Sequence, residues 1–237
     1  MLADLLAAFA FLTILPIRTA SASPPGRIFA YFPLVGLLIG AVVAGVASIQ
    51  LLSREMAAFL ALAGWVALTG GLHLDGFGDS CDGLLATTTP ERRLEIMKDP
   101  RAGVYAVVGL TLLLLGKWLA LREVAPLLLV LPPVMGRWAL ALAAYTFPYA
   151  RSSGAGAYFR EGLGRAQLVT ATALAAAIAL VFGWPVMLVA LVAPITVFIA
   201  GRWAASRLGG GLTGDVYGAL CELTEFACLL ALSAMGG

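Results

Sequence analysis

Charge is what this sequence has least of. Only 12% of its 237 residues are Asp, Glu, Lys or Arg, about half the share of an ordinary soluble domain. There is one histidine, His73, and three cysteines, Cys81, Cys221 and Cys228, an odd number that argues against a disulfide framework. No internal repeat, low-complexity tract or polar linker interrupts the chain. These shortages exclude a water-soluble enzyme, a disordered tail and a nucleic-acid partner. Apolar residues fill the space instead: they make up 61% of the chain, and the mean hydropathy is +0.97. Such a composition belongs in lipid, and the length suits one integral-membrane domain over residues 1–237.

Eight apolar runs approach the 20 or so residues that cross a bilayer. They cover 1–17, 29–52, 56–74, 103–121, 124–147, 167–182, 185–200 and 216–235. Only helices and closed barrels satisfy their backbone in lipid, and these runs lack the alternation of barrel strands. The expected fold is an all-α polytopic membrane bundle of about seven to eight transmembrane segments. The first run is short, contains Asp4 and ends at Pro16, which suits an interfacial or re-entrant segment. Ala20-Ser21-Ala22 mimics a signal-cleavage site, but Arg18 follows the apolar core where a signal peptide needs its positive charge to precede it.

Alternate connections differ sharply in charge. Residues 18–28, 75–102, 148–166 and 201–215 hold Arg18, Arg27, Arg92, Arg93, Lys98, Arg101, Arg151, Arg160, Arg165, Arg202 and Arg207, whereas the other connections hold only Arg54 and Arg122. The positive-inside rule places the first set in the cytoplasm. Most of the acids lie on the same side. A transporter needs polar groups along a route through the bilayer, and here Arg137 alone sits near the middle of a span. Lys117, near an outer helix end, is expected to snorkel. Glu222 and Glu225 are candidate partners for Arg137.

The densest signal runs from Gly70 to Gly83, at the cytoplasmic end of the third run. Asp75, Asp79 and Asp82 follow the spacing i, i+4, i+7, which puts them within about 60° of one another on a helix. Three like charges on one stripe repel unless something neutralises them. A hard divalent cation does so, and Mg²⁺ also leaves positions for substrate phosphates. The three aspartates are therefore candidate metal ligands and catalytic groups. His73 points about 160° away from Asp75 on a continuous helix, so a packing role and a base role stay equally open. A thiol is a poor Mg²⁺ ligand, which leaves Cys81 as packing.

Downstream, Lys98 and Arg101 flank Asp99-Pro100 where the chain re-enters the membrane, level with the aspartates, and could hold the oxygens of a bound pyrophosphate. Arg92 and Arg93 alternate with acids and read as a solvated surface. The segment from Tyr149 to Arg165 mixes four glycines with Arg151, Arg160 and Arg165, like a flexible anion-binding flap. Asp215, Glu222 and Glu225 share an arc of about 80° on the last helix, and carboxylates inside an apolar span normally face a cavity or a partner.

With these residues assembled, the chain resembles the adenosylcobinamide-GDP ribazoletransferase (cobalamin synthase) family nearly end to end. The resemblance rests on Pro33-Leu-Val-Gly36, on Gly71-Leu-His-Leu-Asp-Gly76 continuing to Asp79 and Asp82-Gly83, and on Met97-Lys-Asp99. Arg137, the segment from Arg151, and Gly211-Leu-Thr-Gly-Asp215 with Glu222 and Glu225 complete it. Pro100 and Ala106 depart from the pattern, where Ser and Gly are expected. The resemblance implies a Mg²⁺-dependent transfer. A hydroxyl of α-ribazole, or of its 5′-phosphate, attacks the cobinamide-side phosphorus of adenosylcobinamide-GDP and GMP leaves. Asp75, Asp79 and Asp82 then hold the metal, Lys98 and Arg101 neutralise the leaving GMP, and His73, Arg137, Arg151, Arg160, Asp215, Glu222 and Glu225 bind substrate. A homo-oligomer is compatible with this reading. The alternatives are a CDP-alcohol phosphotransferase, whose Ala-Arg after Asp-Gly is missing at Asp75-Gly76, and a cation-coupled transporter.

Overall fold

The computed structural model describes residues 1–18, 24–151, 158 and 160–235. Among them the chain is helical, with no strand beyond one isolated bridge between Tyr149 and Leu212. Ten α-helices follow one another: α1 Leu2–Leu12, α2 Phe32–Ala47, α3 Arg54–Thr69, α4 Leu72–Leu85, α5 Pro90–Ile96, α6 Val104–Glu123, α7 Leu131–Thr146, α8 Arg165–Leu180, α9 Pro185–Arg207 and α10 Gly214–Ser233. Short 3₁₀ segments, Pro25–Tyr31 and Pro126–Val130, lead into α2 and α7. All eight apolar runs fall on helices. Five spans are long and apolar enough to cross a bilayer (Pro25–Ala47, α6, Pro126–Thr146, α9 and α10), and α3 with α4 makes a sixth if the bent pair counts as one. The helices α1 and α8 are shorter; eleven residues of α1 reach about 16 Å against a hydrocarbon core of about 30 Å.

Local chemistry sets the boundaries. Ser53, Thr89 and Thr213 cap α3, α5 and α10 by accepting backbone N–H donors three residues on. The break between α3 and α4 is Gly70-Gly71, at φ 61° and 70°, a left-handed turn that only glycine adopts without strain. It bends the chain by 90° and lays α4 across the neighbouring helices. Asp4, unexpected in an apolar helix, is buried beside Arg27 at 3.3 Å and so docks α1 onto the segment before α2.

Helix α7 is central and mostly buried, packed against α2, α9 and α10; α10 in turn lies against α4, α6 and α9. Helices α6 and α9 keep few residues fully buried, 28% and 22% of their apolar stretches, as lipid-facing helices do. The three cysteines are free thiols.

Candidate active site

Helix α4 carries the aspartate stripe, and α10 brings Asp215 to meet it. The crossing point is Gly76: a Cβ there would stand 2.8 Å from the Asp215 carbonyl oxygen, so a larger residue would push the helices apart. Asp75 and Asp215 face a shared cavity of about 250 Å³, walled by Phe11, Phe29, Phe32 and Tyr217 with His73 at its side. Asp79, half-buried, feels the charges of Asp75, Asp215 and Asp82 together. Arg151 donates to the Asp215 carboxylate at 3.2 Å and is the cation that reaches this group. Its segment is tied to the start of α10 by the N–H of Ala150 donating to the carbonyl of Leu212 (2.8 Å) and the N–H of Leu212 donating to that of Pro148 (2.9 Å).

Asp82 lies at the other end of the stripe. Both of its oxygens are engaged: they accept the N–H groups of Gly103 (2.6 Å) and Ala106 (3.0 Å), so it caps the start of α6. It borders a second hollow with Arg92, Glu95, Asp99 and Arg101. Lys98 is exposed, and Arg101, also exposed, forks onto Asp99 at 2.9 and 2.7 Å. That pairing holds the Asp99 carboxyl down at about 2. Arg101 thus lies at an open mouth beside Asp82, with Lys98 exposed nearby in sequence. A third hollow gathers Arg151, Arg160 and Tyr149. The middle of the glycine-rich segment, residues 152–157 and 159, lies outside the described residues, as does Ala20-Ser21-Ala22.

Among the described residues no three histidine, cysteine or carboxylate side chains converge as a cage for a metal. Mg²⁺ does not require one, since it is commonly held by one or two carboxylates with waters and substrate phosphates filling the rest. Asp75, Asp79 and Asp215 around the Gly76 crossing offer hard oxygen donors of that kind, taken one or two at a time. Asp82, with both oxygens committed to α6, fits it less well.

Glu222 and Glu225 do not reach this cavity through free carboxylates. They are buried with Lys117 and Arg137 in one ionic group. Lys117 Nζ contacts Glu222 Oε2 and Glu225 Oε2 at 2.5 Å each, and Arg137 pairs with the other oxygen of Glu225. Lys117 also sits 4.5 Å over the Trp65 ring. Arg137 Nη2 approaches His73 Nδ1 at 3.5 Å, which connects the group to the side of the cavity. Lys117 is therefore not a snorkelling residue. Leaving it unpaired in the apolar interior would cost more than gathering two acids around it. Arg93 is a second correction: it is buried and donates to the carbonyls of Gly83 (3.0 Å) and Leu84 (2.6 Å), satisfying the end of α4, while its neighbour Arg92 is exposed and pairs with Glu95.

The profile of the cobalamin-5-phosphate synthase family matches residues 4–233. Curated proteins named adenosylcobinamide-GDP ribazoletransferase are similar over almost the whole chain. That of Stutzerimonas stutzeri (strain A1501) is 43% identical over 98% of both chains. That of Roseiflexus sp. (strain RS-1) is 38% identical over 95% of this chain and 87% of its own, and that of Herpetosiphon aurantiacus is 38% identical over 99% and 98%. No solved structure matches. A profile spanning nearly every residue, with relatives this similar end to end, makes the chain a member of the cobalamin-5-phosphate synthase family, an enzyme family whose curated members bear a transferase name.

Proposed function

We propose that the protein joins adenosylcobinamide-GDP to α-ribazole or its 5′-phosphate, releasing GMP, and that the reaction takes place where α4 crosses α10. The observation that carries this reading is the convergence of Asp75 and Asp215 on one cavity, with Asp79 beside them. In that reaction a ribazole hydroxyl oxygen forms a bond to the cobinamide-side phosphorus, the bond to the GMP oxygen breaks, and the hydroxyl proton passes to a carboxylate. Asp75, which lines the cavity, or Asp79, one turn further along the stripe, takes that proton. Bound Mg²⁺, held by one or two of the carboxylates of Asp75, Asp79 and Asp215, would supply charge neutralisation on the pyrophosphate oxygens. The cavity, about 250 Å³, is a little smaller than most small-molecule sites, which start at about 300 Å³. It suits the reacting ester and the ribosyl hydroxyl, and the corrinoid ring must lie outside it.

Incubating the purified protein with adenosylcobinamide-GDP, α-ribazole and Mg²⁺ should release GMP together with adenosylcobalamin. GMP release that does not depend on α-ribazole would refute the transfer, and solute flux in sealed vesicles would favour the transporter. In the same assay Lys98→Ala should lower kcat more than it raises KM, by about tenfold, the scale of one charge-assisted contact to departing phosphate. Arg92→Ala, which loses only an exposed pair with Glu95, should change little. Equal effects at both positions would reduce this segment to an inside-positive connection.

We also read the carboxylate cavity as cytoplasmic, on the asymmetry of basic residues between alternate connections. Impermeant thiol reagents applied to intact cells should label a cysteine placed near Arg122 and spare one near Arg160. The reverse pattern would invert the orientation.

A further inference from the structure

Helix α6 begins at Asp82's contact and ends at Glu123, one residue past Arg122. The 20 residues of α6 make its far end about 30 Å from the carboxylate site. Connections at that end carry just two cations, Arg54 and Arg122, and the structure brings both to one pocket of about 340 Å³ between the start of α3 and the end of α6. Glu123 is its one acid; the remaining walls are alanine, leucine, valine and proline side chains. The pocket is firmly built. Trp118 Nε1 donates to the Glu55 carbonyl at 3.0 Å, which clasps α6 to α3. Arg122 is only loosely occupied, with Nη2 at 3.6 Å from Glu55 and 3.9 Å from Glu123, while its Nε is buried without a hydrogen-bond partner. Arg54 makes no ion pair among the described residues.

Glu55 and Glu123 balance the two arginines in formal charge, but they approach Arg122 only at 3.6 and 3.9 Å and form no ion pair with Arg54, so both guanidinium groups stay open to the paired oxygens of a phosphate. The site lies where spans α3 and α6 end, at the depth of lipid headgroups, and its walls are apolar. A free phosphate would satisfy the arginines but gain nothing from those walls. We propose that this pocket holds the phosphodiester headgroup of a membrane phospholipid, with the phosphate between Arg54 and Arg122 and the glycerol end of the acyl chains along the alanine and leucine side chains of α3 and α6.

Native mass spectrometry of the full-length protein in detergent tests this, with phosphatidylglycerol as the probe. The wild type should retain one lipid, and diacylglycerol, which lacks the phosphate, should not be retained. Arg54→Ala should weaken retention roughly fivefold, and Arg54→Ala with Arg122→Ala roughly 30-fold. The charge-matched pair Arg18→Ala with Arg202→Ala, whose cations lie outside the pocket, should behave as wild type. Because Arg54 is exposed and unpaired, the single variant still decides the matter if the double variant fails to fold. Equal retention by the pocket and matched variants would overturn the proposal, as would equal retention of diacylglycerol. Displacement of the lipid by inorganic phosphate would assign the arginines to a free anion and equally overturn it.

Discussion

Glu225→Gln is expected to destabilise the protein by about 3–5 kcal/mol, the cost of leaving a buried charge without its partner. Glu225 is fully buried and touches both cations of the interior, Lys117 through one oxygen and Arg137 through the other. With Glu222 the group sums to zero charge; without Glu225 it carries an unbalanced positive charge in an apolar bundle. Lys117 keeps Glu222 at 2.5 Å, so Arg137 is the residue left exposed to the penalty. Combining Glu225→Gln with Arg137→Met removes one charge of each sign and leaves the Lys117–Glu222 pair intact. The double variant should therefore recover most of the loss, a strong departure from additivity. Thermal unfolding in detergent reads both variants. A loss below about 1 kcal/mol in the single variant would mean that water or another group already shares the charge, and additive losses would mean that Arg137 and Glu225 act separately.

That ionic group also marks where the sequence stopped being legible. Helical spans could be read because lipid admits so few backbone solutions, and every apolar run became a helix. The stripe of Asp75, Asp79 and Asp82 was legible because helical spacing is local. The pairing of Lys117 with acids more than a hundred residues away was not, although one signal was present: away from their ends, the apolar helices α6, α7 and α10 hold the cations Lys117 and Arg137 and the acids Glu222 and Glu225, and unpaired charge is costly there. Charge balance alone would have joined Lys117 and Arg137 to Glu222 and Glu225. Arg92 and Arg93 show a second limit. Adjacent residues on α5 lie about 100° apart, so one faces water while the other reaches the end of α4, and only tertiary packing decides which. The capping role of Asp82 was hidden for a similar reason. A carboxylate at helical spacing from two others looks like a third ligand until the start of α6 is found on top of it. Even the bend at Gly70-Gly71 was visible only as a glycine pair.

The stripe's division of labour gives the other large expected effect. If Asp75 and Asp79 hold Mg²⁺ with Asp215, then Asp75→Asn and Asp79→Asn should raise the Mg²⁺ concentration needed for half-maximal turnover by about 100-fold or more, since even indirect partners of metal ligands are worth 10- to 100-fold. Chelator should abolish wild-type turnover, and readdition of Mg²⁺ should restore it. Asp82→Asn is expected to behave differently. Its oxygens accept the first N–H groups of α6, and asparagine keeps one acceptor oxygen but turns the other into a donor facing an N–H. The cost falls on the cap, at about 1 kcal/mol of stability, and on the seating of α6 against α4. Turnover falls while the Mg²⁺ requirement stays near that of the wild type. Titrating Mg²⁺ against initial rate for the three variants separates these outcomes. An equal rise at all three positions would restore Asp82 to the metal site and require it to release α6 during the reaction. Unchanged Mg²⁺ dependence at Asp75 and Asp79, with activity surviving excess chelator, would remove the metal from this cavity and leave Arg151 as the group that balances its charge.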